Sequence, residues 1–281
     1  MRSKHIVLSA LTLTAVLVSS VLLSACTDGT PVKTDIPKIG RSAPQNSPVE
    51  IVNGTPEQQP VEAGGDHQNG LVTSDRKAYY YQDGVLQKGI VGNGADGFYY
   101  ADADGVIDLG CVDGVIVDGE SWIVSEGKAT KAETAADQAL FQAAKFVGKV
   151  TTPDMTHEQK LRACFDHIKT DYLEGVLEDP DYFTTEWPVT YANDFFTTGR
   201  GDCFSFGASY AFMAKAIGYA EVYALNSGGH GWAEVDGKYY DPEWDKHHVE
   251  FDHYAMNPTD QLDIEYLEGI GAGYDWMRVK L

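Results

Sequence analysis

The pattern of hydrophobic and polar residues divides the chain into four stretches. Residues 6–23 form an uncharged, mostly apolar run, and residues 27–70 carry few large apolar side chains. Between residues 71 and 131, short aromatic and aliphatic segments are separated by Asp-Gly or Glu-Gly, which predicts β-hairpins. From residue 132 onward, apolar residues first recur every three to four positions, as in amphipathic helices, and strand-like segments then return. The pattern predicts a small all-β region followed by an α+β region.

The first apolar run has the features of a targeting segment. It follows the basic start Met1-Arg2-Ser3-Lys4-His5 and ends in Leu23-Ser24-Ala25-Cys26, an arrangement typical of a secretory signal. Its end resembles the lipobox of bacterial lipoproteins, in which the signal peptide, here 1–25, is removed and the cysteine is lipidated. We therefore expect Cys26 to anchor the protein to the extracellular face of the cell membrane. An uncleaved transmembrane anchor is the alternative, since the run is nearly long enough to span a bilayer.

Composition sets two further limits. Residues 26–70 are rich in Pro, Gly, Gln and Asp, and such a segment buries too little apolar surface to offset its ordering entropy, so we predict a disordered linker. The chain carries 21 basic and 42 acidic residues, a formal net charge of −21. An excess of negative charge repels phosphate backbones, which argues against nucleic acid as a partner.

Three phrases in residues 71–131 share one order of residues. Each has an aromatic strand, an acidic residue followed by Gly, and a second short strand, at a spacing of about twenty residues, which is a repeat period. The predicted turns are Asp83-Gly84, Asp104-Gly105 and Glu126-Gly127. The three phrases therefore predict an array of β-hairpins.

The array resembles the cell-wall repeats of choline-binding type in Gram-positive surface proteins, whose core is an aromatic pair followed by Asp-Gly. In that family, aromatic side chains of neighbouring repeats hold a choline by cation–π contact. The resemblance implies the cell wall as a partner for residues 71–131. Trp122 is the only tryptophan in this stretch of the sequence, and the Gly-Trp that usually opens each repeat is missing. A spacer or protein-contact role is therefore the alternative.

Helical spacing dominates the next segment. Residues 132–148 predict a helix that ends near Gly148. A second helix is predicted from Thr156, because Gln159 three residues later completes a capping box. Residues 174–198 contain two prolines and many aromatic residues, and we predict an irregular loop there, which is a plausible wall of a substrate cleft.

Four cysteines are too few for a disulfide scaffold. Cys26 is assigned to the lipid anchor, which leaves three thiols. Cys111 and Cys164 lie in segments assigned to different regions. We predict that both are buried free thiols, although an oxidising compartment would also allow them to pair.

Cys203 lies where a Gly-rich segment meets a helical pattern. Asp202 is a good N-cap, and apolar residues then follow at helical spacing up to Gly218, which is typical of a helix end. Cys203 is therefore predicted in the first turn, where the helix dipole favours an anion and a free N–H can bind an oxyanion. A small first-turn residue without a chemical role is the alternative.

The segment 227–245 predicts a hairpin with Asp236-Gly237 as its turn. In the resulting register, side chains of His230 and Asp241 point to the same face and come within reach of a hydrogen bond. A carboxylate in that position fixes the tautomer of a basic imidazole. The predicted pairs are Val235 with Lys238, Glu234 with Tyr239, Ala233 with Tyr240 and Trp232 with Asp241.

These residues together resemble the bacterial transglutaminase-like superfamily, which has a papain-like fold. The matching motifs are "GRGDCFSFG", "HGW" and "YYDPEWD", preceded by the helix "THEQKLRACFDHIKTDY". The resemblance implies that residues 132–281 form the catalytic domain, with Cys203 as nucleophile, His230 as base and Asp241 as orienting acid. It also implies a second oxyanion donor upstream of the cysteine, for which the candidates are Trp187, Tyr191 and Asn193. Gly231 stands where the family more often has Ala.

The implied reaction is acyl transfer through a Cys203 thioester, with a peptide or protein as substrate and no cofactor. The acyl group then passes to water, as in a peptidase or amidase, or to an amine, as in a cross-linking transamidase. A catalytically silent binding or scaffold module is the alternative from another class. His247, His248 and His253 lack a metal-ligand spacing, so we predict a solvated loop there rather than a metal site.

Overall fold

The computed structural model describes residues 69–95, 97–177, 184–258 and 277–281. The predicted signal peptide, Cys26 and nearly all of the predicted linker lie outside these residues. The described residues form a mixed α+β structure whose larger sheets are antiparallel, as the hydrophobic pattern predicts. Among its described helices, none combines the length and apolar character that crossing a membrane requires.

The first part of the described chain consists of two small sheets. One has the strand order β1-β2-β3, with β6 pairing with the first residues of β2, and the other has the order β4-β5-β9-β8-β7. The strands are β1 (Gly70–Ser74), β2 (Lys77–Gln82), β3 (Val85–Leu86), β4 (Gly89–Asn93), β5 (Gly97–Ala101), β6 (Ile107–Asp108), β7 (Val112–Val117), β8 (Glu120–Ser125) and β9 (Lys128–Lys131).

Two of the three predicted hairpin turns are confirmed and one is corrected. Asp83-Gly84 and Glu126-Gly127 connect paired strands with positive φ at both residues, as a type I′ turn requires. At Asp104-Gly105 the chain also turns, but β5 and β6 do not pair with each other. The Asp102 carboxylate accepts the N–H groups of Asp104 and Val106, each at 2.9 Å, and β6 then pairs with β2.

The second part contains the helices and a further antiparallel sheet with the order β14-β13-β12-β15. Strands β10 and β11 form a separate short parallel pair. The elements are α1 (Ala135–Val150), α2 (His157–Asp171), β10 (Leu173–Glu174), α3 (Trp187–Thr198), β11 (Arg200–Gly201), α4 (Cys203–Ile217), β12 (Val222–Asn226), β13 (Gly231–Val235), β14 (Lys238–Tyr240), α5 (Pro242–His247) and β15 (Met277–Lys280).

Helix α1 begins and ends differently from the prediction. It starts after a capping box that joins Thr134 and Asp137, and it continues past Gly148 to Val150. A Cβ at Gly148 would lie 2.8 Å from the carboxylate of Asp113 and from the carbonyl oxygen of Val112. The glycine therefore allows β7 to approach the helix closely and does not terminate it. Helix α2 confirms the predicted capping box of Thr156 and Gln159.

The predicted loop at 174–198 is in part a helix. Residues 178–183 lie outside the described chain, but Trp187–Thr198 form α3, which ends at Gly199 in the left-handed conformation. Pro188 occupies the first turn of the helix, where proline is tolerated because the N–H groups there have no intrahelical acceptor. Pro188 therefore lies inside this helix, and the predicted irregular loop is corrected over Trp187–Thr198.

Helix α4 lies at the centre of the core. Nearly all of its residues are buried, and it packs against α1, α2 and α3 as well as against β12 and β13. The same core includes Val112 and Ile123 from the hairpin region. Apolar packing thus continues across the predicted domain boundary at 131/132, and that boundary stays a prediction.

Candidate active site

Cys203 is the first residue of α4, as the sequence predicts. Asp202 is the N-cap and accepts the N–H of Ser205 at 3.1 Å. Strand β11 leads directly into this cap, and its partner β10 pairs Glu174 with Gly201. The thiol is partly exposed, at a helix end whose free N–H groups favour negative charge. The local sequence therefore places the sulfur at an accessible position.

Two glycines allow α4 and β13 to approach each other closely. A Cβ at Gly207 would lie 2.6 Å from the Trp232 Cα, and a Cβ at Gly231 would lie 2.8 Å from the Phe204 Cα. Contacts this short with backbone atoms cannot be relieved by a change of rotamer. An alanine at position 231 would therefore collide with α4, and the close packing that the two glycines allow brings the start of α4 next to the start of β13.

The predicted hairpin register is confirmed over three pairs: Val235 with Lys238, Glu234 with Tyr239, and Ala233 with Tyr240. Its Asp236-Gly237 turn has positive φ at both residues. The fourth predicted pair, Trp232 with Asp241, does not form, because β14 ends at Tyr240 and Asp241 becomes the N-cap of α5. His230 lies just before β13 rather than within it.

Asp241 and His230 nevertheless meet as predicted. The Asp241 carboxylate is fully buried and accepts the N–H of Trp244 at 2.9 Å through Oδ1, and its Oδ2 is in contact with His230 Nε2. The backbone N–H of Asp241 donates to the carbonyl oxygen of His253 at 3.0 Å. With its backbone and both carboxylate oxygens engaged, Asp241 has one defined orientation toward the imidazole.

The imidazole of His230 lies between two indole rings and next to the thiol. The Trp232 ring is stacked at a centroid distance of 5.8 Å, and the Trp244 ring contacts it edge-on at 5.3 Å. Burial opposes protonation of His230, but the charge of Asp241 and hydrogen bonds to Asp241 and Cys203 outweigh burial and raise its pKa well above the usual value. The structure thus joins thiol, imidazole and carboxylate in one hydrogen-bonded series.

The candidates for a second oxyanion donor have different surroundings. Trp187 and Tyr191 are fully buried and pack around Phe204, the residue after Cys203, at ring distances of 5.9 and 5.6 Å. The amide of Asn193 donates to the carbonyl oxygens of Ala135 at 2.9 Å and Val189 at 3.0 Å. Both of its N–H bonds are thereby used in holding α3 against the start of α1, so Asn193 has none left for a substrate oxygen.

The other two described cysteines are free thiols; Cys164 is buried as predicted, whereas Cys111 is only partly buried. Burial, together with the charges of Asp113 and Asp108, raises the pKa of Cys111 to about 11. Burial raises the pKa of Cys164 to about 12. Both thiols are therefore protonated and poorly nucleophilic near neutral pH.

Three ligand-type side chains come close enough to be considered for a metal. Within the described residues, His230, Asp241 and Glu243 have ligand atoms within 4.8 Å of one another. Both oxygens of Asp241 already have protein donors, so a metal ion there would displace the contact with His230. The predicted solvated loop is corrected in part, because His247 is the last residue of α5 and His253 is almost fully buried. The three histidines have separate partners: His247 contacts Glu174 and Glu243, His248 stacks on Trp244, and His253 lies against Asp245.

The sequence analysis missed Gly207 and Trp244. A glycine inside a helical pattern costs about 1 kcal/mol relative to alanine and often indicates close packing, so Gly207 carried a usable signal. Trp244 carried no such signal, because its contacts depend on α5 beginning after its N-cap Asp241.

In comparisons with known proteins, no family model, curated protein or solved structure matches this chain.

Proposed function

We propose that this chain is a surface lipoprotein that catalyses thiol acyl transfer of transglutaminase-like type, and that its reaction is hydrolysis of a peptide or isopeptide amide. The observation that carries the proposal is the hydrogen-bonded series of Cys203, His230 and Asp241. A Cys-bearing helix packed against an antiparallel sheet is consistent with the papain-like architecture that the sequence resemblance implies. The sequence supplies the proposed lipid anchor at Cys26.

In the proposed reaction, the Cys203 sulfur attacks the carbonyl carbon of the substrate amide and forms a C–S bond. Protonated His230 then gives its proton to the departing amine as the C–N bond breaks, which leaves a thioester. Water attacks the thioester carbonyl carbon while His230 accepts one of its protons, the C–S bond breaks and the acid is released. The Cys203 thiolate and the protonated His230 with which the cycle began are then restored. Asp241 holds the imidazole in the required tautomer and stabilises its protonated form.

The oxyanion formed during attack needs hydrogen-bond donors. The N–H of Cys203 is one candidate, because the first N–H of a helix has no intrahelical acceptor. Trp187 is the second candidate from the same region: its Nε1 is buried and has no hydrogen-bond partner among the described residues, and its ring packs on Phe204. We propose hydrolysis because partial exposure of Cys203 would leave the thioester accessible to water, which is far more abundant than any acceptor amine.

The test begins with alkylation, because it needs no known substrate. The protein is treated with iodoacetamide at about pH 6, and peptide mass spectrometry measures the labelling of each cysteine. We expect Cys203 to react well ahead of Cys111 and Cys164, whose pKa values burial raises to about 11 and about 12. Equal labelling of the three thiols after correction for exposure would contradict the proposal.

Peptides and cell-wall fragments are then incubated in ¹⁸O-labelled water with the wild type and with Cys203→Ala. Hydrolysis places ¹⁸O in a new carboxylate, whereas transamidation gives a linked product without the label. We expect ¹⁸O-labelled products with the wild type only. Linked products would instead identify a transamidase, and a selectively labelled Cys203 without any turnover would favour the binding-module alternative.

A further inference from the structure

A partly buried network next to the candidate site connects α2 to Asp241. Asp245, on α5, accepts the ammonium of Lys169 from α2 at 2.6 Å through Oδ2. Its Oδ1 accepts the backbone N–H of His253 at 2.8 Å. The carbonyl oxygen of His253 in turn accepts the N–H of Asp241 at 3.0 Å. The carboxylate of Asp245 therefore holds His253, and the carbonyl oxygen of His253 accepts the backbone N–H of Asp241.

The network is enclosed by its surroundings. The side chains of Lys169 and Asp245 are 18% and 12% exposed, and His253 is almost fully buried. The Lys169 ammonium also lies 4.6 Å from the centroid of the Phe165 ring and 3.5 Å from Asp166. Ion pairs in such partly buried positions hold their geometry better than exposed pairs, because screening by water is weaker.

The segment after α5 is held at several points. Tyr239 and Met256 exchange backbone hydrogen bonds of 3.0 and 2.9 Å, which fixes Met256 to β14. Closer to α5, Arg162 pairs with Asp252, and Asp245 accepts the N–H of His253. Of these contacts, that of Asp245 is the one made to the backbone of His253, whose carbonyl oxygen accepts the Asp241 N–H.

We infer that Asp245, held by Lys169, is a positioning residue that keeps Asp241 aligned with His230. This inference rests on the proposed function, because it concerns the alignment of the proposed thiol–imidazole–carboxylate series. Asp245 touches neither the reacting thiol nor the imidazole in the described contacts, and it acts through the backbone of His253. Small losses of alignment in catalytic groups reduce rates by large factors.

The test uses Asp245→Asn, which keeps the size of the side chain and removes its charge. The readout is the rate of Cys203 alkylation by iodoacetamide at about pH 6 divided by the rate at about pH 9. We expect this ratio to fall roughly tenfold, since a misaligned Asp241 stabilises the protonated imidazole less well. Lys169→Met is expected to reproduce the fall, and it provides the comparison if Asp245→Asn does not fold.

The matched control is Asp252→Asn. Asp252 precedes His253 and pairs with Arg162 of the same α2 at 3.0 Å, but its side chain is 61% exposed. We expect this control to keep the wild-type alkylation ratio. If Asp245→Asn and Lys169→Met lower the melting temperature yet leave the ratio unchanged, the network is structural only and the inference is overturned. Lack of selective Cys203 labelling in the wild type would overturn the proposed function as well.

Discussion

Thiols lie near a basic group in two regions of this molecule, and the two surroundings differ sharply. At the start of α4, Cys203 is partly exposed and hydrogen-bonded to His230, whose Nε2 meets Asp241. Where α2 faces the hairpin region, Cys111 and Cys164 both lie within electrostatic reach of Lys160. That lysine is 3% exposed and donates to the Gly110 carbonyl oxygen at 2.5 Å.

The comparison shows which surroundings allow a basic neighbour to make a thiol nucleophilic. Near Lys160, burial dominates: it raises the pKa of both cysteines and lowers that of the lysine itself. At His230, a buried carboxylate compensates for burial and raises the pKa of the imidazole. The carboxylate that pairs with the imidazole therefore separates the candidate nucleophile from the two thiols near Lys160, of which Cys111 is also partly exposed.

The largest expected effect follows from removing the base. In His230→Ala the Cys203 thiol loses its partner, so the selective alkylation of Cys203 at about pH 6 should disappear. Turnover of any substrate found should fall by roughly 10⁴-fold or more, as when a member of a catalytic triad is lost. Peptide mass spectrometry after alkylation checks the first expectation. If Cys203 were still alkylated selectively in His230→Ala, the imidazole would not be the cause of the difference in thiol reactivity between the two regions.

The close approach of α4 and β13 gives the next largest effect. In Gly207→Ala the new methyl group would collide with backbone atoms of Trp232. We expect a loss of stability of about 1–3 kcal/mol, the usual cost of overpacking, together with slower Cys203 alkylation. Chemical denaturation and alkylation rates measure the two. Gly237→Ala is not a suitable control because of its positive φ, whereas Gly94→Ala meets nothing within 4 Å and should have little effect on either measurement.

Protonation of His230 makes a contribution to stability that depends on pH. Because the folded-state pKa of His230 is raised, its protonated form stabilises the fold fully below the unfolded-state pKa of about 6.5. This contribution is lost as the pH rises through the raised pKa. The difference in free energy of unfolding between wild type and His230→Gln should therefore shrink at alkaline pH. A difference that grows with pH would contradict the assigned direction of the pKa shift.

The smallest effect is expected in the other region. Lys160→Met leaves the Gly110 carbonyl oxygen without its donor, which should cost about 1 kcal/mol of stability. Cys203 alkylation should not change, since Lys160 has no described contact with the candidate site. Thermal unfolding and alkylation of the variant measure both outcomes. A marked loss of Cys203 reactivity in Lys160→Met would mean that the two regions are coupled.

Features governed by neighbouring residues were accessible from the sequence alone. The N-cap at Asp202, the capping box at Thr156 and the turn at Asp236-Gly237 depend on short-range hydrogen bonds and backbone conformation, and the structure confirms each. Together they place Cys203 at a helix start and bring His230 near Asp241. The start of α1 escaped prediction although Thr134 and Asp137 form the same kind of box.

Only the tertiary structure decided the features that join distant segments. Strand β6 pairs with β2 and not with the strand of its own repeat. Helix α3 forms where the prolines predicted a loop. Asp241 is the N-cap of α5 and not a paired residue of the hairpin. The contact of Cys203 with His230 likewise depends on how closely α4 packs against β13. Local hydrogen bonds are encoded over a few residues, whereas these arrangements depend on which buried surfaces fit together across the whole fold.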